Sequence, residues 1–126
     1  MVIVAGYGEP MRQFLDSNPG LRSRFTRFIE FPDYTLDELV EVLQGMLRQA
    51  RCSLTPEAVV RARSLLSQLR APPAEGFANA RTARTLFERM LANQSNRLAT
   101  DLDLSREDLT ILQADDVPAP RSLNQL

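Results

Sequence analysis

Apolar residues recur along this chain in two rhythms. At the start, Val2-Ile3-Val4-Ala5 is an unbroken apolar run that ends at Gly6, the pattern of a strand covered on both faces in a parallel sheet. Glu9-Pro10 then opens a short helix in which Met11, Phe14 and Leu15 share one side, and Asn18-Pro19-Gly20 ends it in a turn. The turn presents Arg22 and Arg24, two residues apart, on a loop. Phe25, Phe28 and Ile29 follow as apolar anchors for that loop in a short β-type run, which stops at Pro32-Asp33 because proline cannot continue a ladder.

From Thr35 the rhythm becomes helical. Thr35-Leu36-Asp37-Glu38 spells a capping box, and Leu36, Leu39, Val40, Leu43, Met46 and Leu47 recur at three- and four-residue steps, so one stripe of this helix faces a core. Thr55-Pro56 caps and starts a second helix, with Val59, Ala62, Leu65, Leu66 and Leu69 on its buried face and Arg61, Arg63 and Arg70 in solvent. Ala71-Pro72-Pro73-Ala74-Glu75-Gly76 is predicted as loop. A third helix runs from near Asn79 to about Leu98 and buries Ala83, Phe87, Met90, Leu91 and Leu98. Ser105 caps a last short helix through Ile111 and Leu112, and from Asp115 onward the pattern fades into a tail.

Composition narrows the chemistry. With 126 residues, 44% of them apolar and 25% charged, the chain is one soluble-type domain by size. A formal charge of −1 with both signs interspersed offers no field to gather nucleic acid or an anionic membrane. No apolar run approaches the length of a membrane span, and the Met1 end lacks a basic leader, so a cytosolic setting is expected. Histidine is absent, which removes Ser-His and Cys-His catalysis. The single cysteine, Cys52, reads as a half-buried helix-end residue, and no metal site is expected. All 15 basic residues are arginine, so no lysine-bearing phosphate loop exists here and the chain alone cannot split a nucleotide by that route.

Two arginine pairs are left as candidates. Arg22 and Arg24 could grip a phosphate or stabilise charge during phosphoryl transfer, or could merely pair with surface carboxylates. Arg81 and Arg84, three apart at the start of the third helix, share one face. Cations there oppose the helix dipole, which asks for an anion nearby, unless Glu75 or Glu88 pairs with them.

Three blocks in order, Val2-Ile3-Val4-Ala5-Gly6-Tyr7, Ser17-Asn18-Pro19-Gly20-Leu21-Arg22-Ser23-Arg24-Phe25 with Phe31-Pro32-Asp33-Tyr34, and Phe77-Ala78-Asn79-Ala80-Arg81, resemble the second half of an AAA+ ATPase of the CbbX/CfxQ branch. That branch also includes stage V sporulation protein K-like and EccA-type ATPases. The resemblance runs from Val2 to about Leu98 and implies a mainly α fold: a helical lid of about four helices, residues 35–113, after a remnant of the α/β core, residues 1–34, and before a flexible tail, residues 114–126. It implies that Phe31–Tyr34 is the hinge, that Arg24, or else Arg22, is the arginine finger offered to a neighbouring subunit, and that Arg81, or else Arg84, is the sensor 2 contact to nucleotide phosphate. Tyr7 stands at the sensor 1 place, where Asn is commoner, and is either a phosphate or water contact or a packing residue. ATP with Mg2+ would be the cofactor of the parent protein, neighbouring subunits of a ring, expected to be a hexamer, its partners, and remodelling of a client protein its work. A free-standing helical interaction module with no nucleotide role is the alternative.

Overall fold

A computed structural model describes residues 1–71, 78–101 and 103–120, and divides the chain into two compact units, Met1–Pro32 and Asp33–Leu126. In the first, α1 (Gly8–Asp16) and α2 (Pro19–Arg24) pack on each other. Asn18 starts α2 by accepting the Gly20 N–H on its side chain at 2.9 Å, with Pro19 preset for the first helical position. The arginines expected on a loop therefore sit on a short helix. Val2–Ala5, a strand-type run without sheet neighbours, takes no regular structure, and Val2 and Ile3 are exposed; the β-type run expected after Phe25 has no regular structure either, and Phe28 and Ile29, expected as anchors, are exposed. An apolar run becomes a strand only when neighbouring strands complete its ladder. Among the described residues, the only strand pairing lies elsewhere.

The second unit is a helical bundle. Helix α3 (Leu36–Gln49) packs against both α4 (Pro56–Arg70) and α5 (Ala80–Leu98). Its capping box is formed on both sides: Thr35 Oγ1 accepts the Glu38 N–H, and the Glu38 carboxylate accepts the Thr35 N–H at 2.7 Å. At the other end Arg51 takes φ 57°, and the N–H groups of Arg51 and Cys52 close back on the carbonyls of Arg48 and Leu47, a Schellman turn that satisfies the last carbonyls. Leu39, Leu43 and Leu47 from α3, Ala58, Ala62, Leu65 and Leu66 from α4, and Ala83, Leu86 and Met90 from α5 form one core.

The segment expected to dissolve into a tail instead closes this bundle. After α6 (Arg106–Thr110), strand β2 (Ile111–Leu112) pairs in parallel with β1 (Ser53–Leu54), and a 3-10 turn (Ala114–Asp116) lies against α4 and α5. Leu112, Asp116 and Val117 are buried. Asp116 accepts two hydrogen bonds from the Arg97 guanidinium, both at 2.9 Å, and one from the Gln113 N–H at 2.7 Å. Buried Gln94 donates to the carbonyls of Asp108 and Ile111. A carboxylate can be buried here because each of its two oxygens meets at least one donor and the guanidinium balances its charge. The loop expected at Pro72–Gly76, and the end of the tail from residue 121, lie outside the described residues.

Candidate functional site

The arginine pairs separate by what their neighbours offer. On α2, residues two apart point to nearly opposite sides of the helix, about 200° around the axis, so Arg22 and Arg24 cannot share one ligand. Arg22 turns back to Asp16, its guanidinium 2.5 Å from the carboxylate. Arg24, the last residue of the helix, has no carboxylate within ion-pair distance among the described residues. This difference was not legible from spacing in an assumed loop. Tyr7 precedes α1, with its carbonyl accepting the Met11 N–H, and the residue is 87% exposed.

In the second unit, Arg81 and Arg84 are both exposed on the first turns of α5, and neither meets a carboxylate among the described residues. Glu88 does not neutralise Arg84, although both line an open cleft of about 310 Å³ with Met46, Gln49, Ala50 and Phe87. Glu75 lies outside the described residues. Arg84 thus borders the carbonyl end of α3, where cations are favoured, whereas Arg81 stands at the very start of α5 facing solvent. Three other arginines of this unit are paired, Arg61 with Asp115, Arg63 with Asp37 and Arg97 with Asp116, whereas Arg48, Arg51, Arg70, Arg89 and Arg106, like Arg81 and Arg84, meet no carboxylate within ion-pair distance among the described residues. Among the described residues, no carboxylate compensates the dipole mismatch at Arg81.

One residue that the sequence reading passed over shapes this end of the helix. Asn79 precedes α5 at φ 50°, ψ −126°, a backbone region costly for any residue but glycine. Its side chain does not cap the helix. It donates to Asp33 Oδ1 at 2.6 Å and accepts the Tyr34 N–H at 3.0 Å. These partners lie 45 and 46 residues away, out of reach of any local sequence signal.

Among the described residues no group of three or more His, Cys, Asp or Glu could hold a metal ion, and no helix is long and apolar enough to cross a membrane. Burial pushes the Cys52 thiol up from its ordinary range, which favours the protonated form.

Comparison with known proteins agrees with the architecture. The AAA lid domain family matches residues 35–125. The chain is 40% identical over 123 residues to the protein CbbX of Cereibacter sphaeroides, covering 96% of this chain and 39% of the relative. It is 37% identical over 119 residues to a CfxQ homolog of Trieres chinensis, covering 93% and 40%. It is 36% identical over 119 residues to the chloroplastic ribulose bisphosphate carboxylase/oxygenase activase of Cyanidioschyzon merolae, again covering 93% and 40%. The chain spans about two fifths of the length of these relatives. With a lid-family match over most of its length and relatives of this kind, the chain belongs to the AAA lid domain family and is of the CbbX/CfxQ type.

Proposed function

We propose that this chain supplies the arginine finger and the nucleotide-sensing lid of an AAA+ ATPase that works as a ring, a hexamer in our reading, to remodel a client protein. The observation that carries this is Arg81, an exposed guanidinium at the start of α5 with no carboxylate partner among the described residues. A phosphate group fits such a position, since it would accept charge-assisted hydrogen bonds and relieve the dipole mismatch. Arg81 holds the phosphates of ATP within its own subunit and so reports their presence to the lid. Arg24, with its sister Arg22 engaged by Asp16, reaches the nucleotide of the next subunit and stabilises the charge that builds on the transferring phosphoryl group. Tyr7 orients water or a phosphate oxygen beside it. Mg2+ would accompany ATP in the parent protein, held mainly by the phosphates and water. A contact made by one subunit in the site of the next is head-to-tail, and such contacts close into rings.

The test uses a chimera in which residues 1–126 replace the matching segment of the Cereibacter sphaeroides CbbX protein. Arg24→Ala should leave ATP binding intact and lower hydrolysis on the order of 10³-fold. Arg81→Ala should weaken binding itself, by roughly 10- to 100-fold for a lost charge-assisted contact. Mixing Arg24→Ala subunits with subunits whose phosphate-loop lysine is removed should return partial activity, because some interfaces then join an intact site to an intact finger. If rings exchange subunits and nothing returns, Arg24 does not act across an interface, and Arg22 goes through the same test. Full activity in both variants would leave the chain as a helical interaction module.

A further inference from the structure

The side chain of Asn79 holds a position that asparagine normally uses to cap a helix, among the best residues for that purpose, yet it makes no cap bond. The cap duty is met by backbone and by a neighbour. The Thr82 and Arg81 N–H groups close on the carbonyls of Asn79 and Ala78, both at 3.0 Å, and the Thr82 hydroxyl accepts the Ala78 N–H at 2.8 Å. The amide of Asn79 is thereby released to bridge to Asp33 and Tyr34, the first two residues of the helical unit. The backbone is held at φ 50°, ψ −126° to do so. Strain of this kind persists where surrounding contacts over-determine it, and it clusters at clamps and switches.

We propose that Asn79 is a positioning residue, a clasp that ties the arginine-bearing first turn of α5 to the chain entering the lid. Three consequences follow from the geometry. Asp33 and Tyr34 move with the lid, so the pivot lies before Asp33, at Phe31-Pro32, and is shorter than the expected hinge. Any change in the incoming chain is delivered through one amide to the start of α5, two residues before Arg81. Both bonds are solvent-exposed, and the strain they offset is of similar size to what they return, so the clasp opens without the bundle unfolding. Its functional weight rests on the reading of Arg81 as a phosphate contact, but its existence does not.

The experiment uses this chain without nucleotide, so that it decides the clasp whatever Arg81 binds. Native-state hydrogen exchange is read at the Tyr34 amide, and backbone order by NMR relaxation at Ala80 and Arg81. Asn79→Asp keeps the shape but sets two carboxylates against each other; the Tyr34 amide should lose about tenfold in protection and the first turn of α5 should loosen, with the urea midpoint of the bundle nearly unmoved. The swap Asn79→Asp with Asp33→Asn restores an amide–carboxylate bond of reversed direction and should recover both signals. Asp33→Ala gives a milder opening with Asn79 intact, which keeps the test decisive if Asn79→Asp disturbs folding. Unchanged Tyr34 protection in the opened variants, or no recovery in the swap, would overturn the proposal.

Discussion

Between Asp33 and Pro120 the large apolar side chains close on one another, whereas between Met1 and Pro32 most of them face solvent. In the helical unit Leu39, Leu43, Leu66, Leu86, Met90 and Leu112 are almost entirely covered. In the first unit Leu15 is the one buried residue among those described, while Ile3, Tyr7, Phe14, Phe28, Ile29 and Phe31 are exposed. The difference follows from the kind of pattern each carries. A helix completes its own backbone hydrogen bonds and needs only a facing stripe, which α3, α4 and α5 supply to one another. A strand run needs neighbours for both its ladder and its faces, and the first unit has none. Apolar side chains left in that state are surface available for other elements to cover.

Core truncation tests this contrast most directly. Leu86→Ala should cost about 2–5 kcal/mol of unfolding free energy, since it opens a void in a fully packed core, and Phe28→Ala should stay within about 0.5 kcal/mol. Urea unfolding followed by circular dichroism measures both. Equal losses would mean that the first unit holds a core of its own, and the comparison would fail.

Asp116 sharpens it from the polar side, because only the helical unit buries a carboxylate among the described residues. Asp116→Asn should cost about 2–3 kcal/mol at neutral pH, as a charge-assisted pair is replaced by weaker bonds around a partly buried Arg97. Burial pushes the Asp116 carboxyl up, but the Arg97 guanidinium and the Gln113 N–H together outweigh it and hold the group below the ordinary carboxylate range. A folded-state value below the unfolded one, about 3.9, gives stability that is fully present above the unfolded value. It disappears as pH falls through the folded value. The gap between parent and Asp116→Asn should therefore be constant from pH 7 down to about 5 and shrink below about 4. Glu38 and Asp108 are lowered in the same sense by their capping partners Thr35 and Ser105. They occur in both proteins, so the difference isolates Asp116. A gap that widens in acid would mean that burial, not Arg97, governs the group.

What could be read from the sequence divides by distance along the chain. Thr35 with Glu38 and Ser105 with Asp108 act over three residues, and both capping boxes form. The stripe of α3 was legible for the same reason. On α5 the expected face missed Leu86, and it included Phe87 and Leu91, which are only half-buried. The helix meets α3 on one side and the closing turn at Ala114–Asp116 on another, and the second contact has no local signature. Asp116, Gln94 and Asn79 take partners 14 to 46 residues away, and a polar residue in a sequence does not announce such a partner. At the candidate site, the motif resemblance located Arg22, Arg24, Arg81 and Arg84. The pairing of Arg22 with Asp16 depends on α2 being a helix, which a turn signal concealed.

Helix ends carry the smaller effects. Thr35→Ala removes the acceptor for the Glu38 N–H and breaks the reciprocal box, and it should cost about 1 kcal/mol. Thermal unfolding should show the loss, and Thr35→Ser should restore most of it. In the first unit, α1 has no side-chain cap at Tyr7, so Tyr7→Ala should leave the same transition in place.

The smallest expected change is a gain. Arg51 holds the left-handed position after α3 at φ 57°, where a side chain strains against its own backbone by about 1–2 kcal/mol. Glycine escapes that strain but loses more freedom on folding, about 0.5–1 kcal/mol. Arg51 makes no ion pair among the described residues, so its replacement forfeits no salt bridge there. Arg51→Gly should therefore stabilise the helical unit by about 0.5–1 kcal/mol, the difference between the two terms, with the Schellman bonds from Arg51 and Cys52 retained. Arg51→Ala keeps the strain and should show no gain, which separates backbone relief from removal of the guanidinium. A loss of stability in Arg51→Gly would show that the arginine side chain supports the α3 end through contacts of its own.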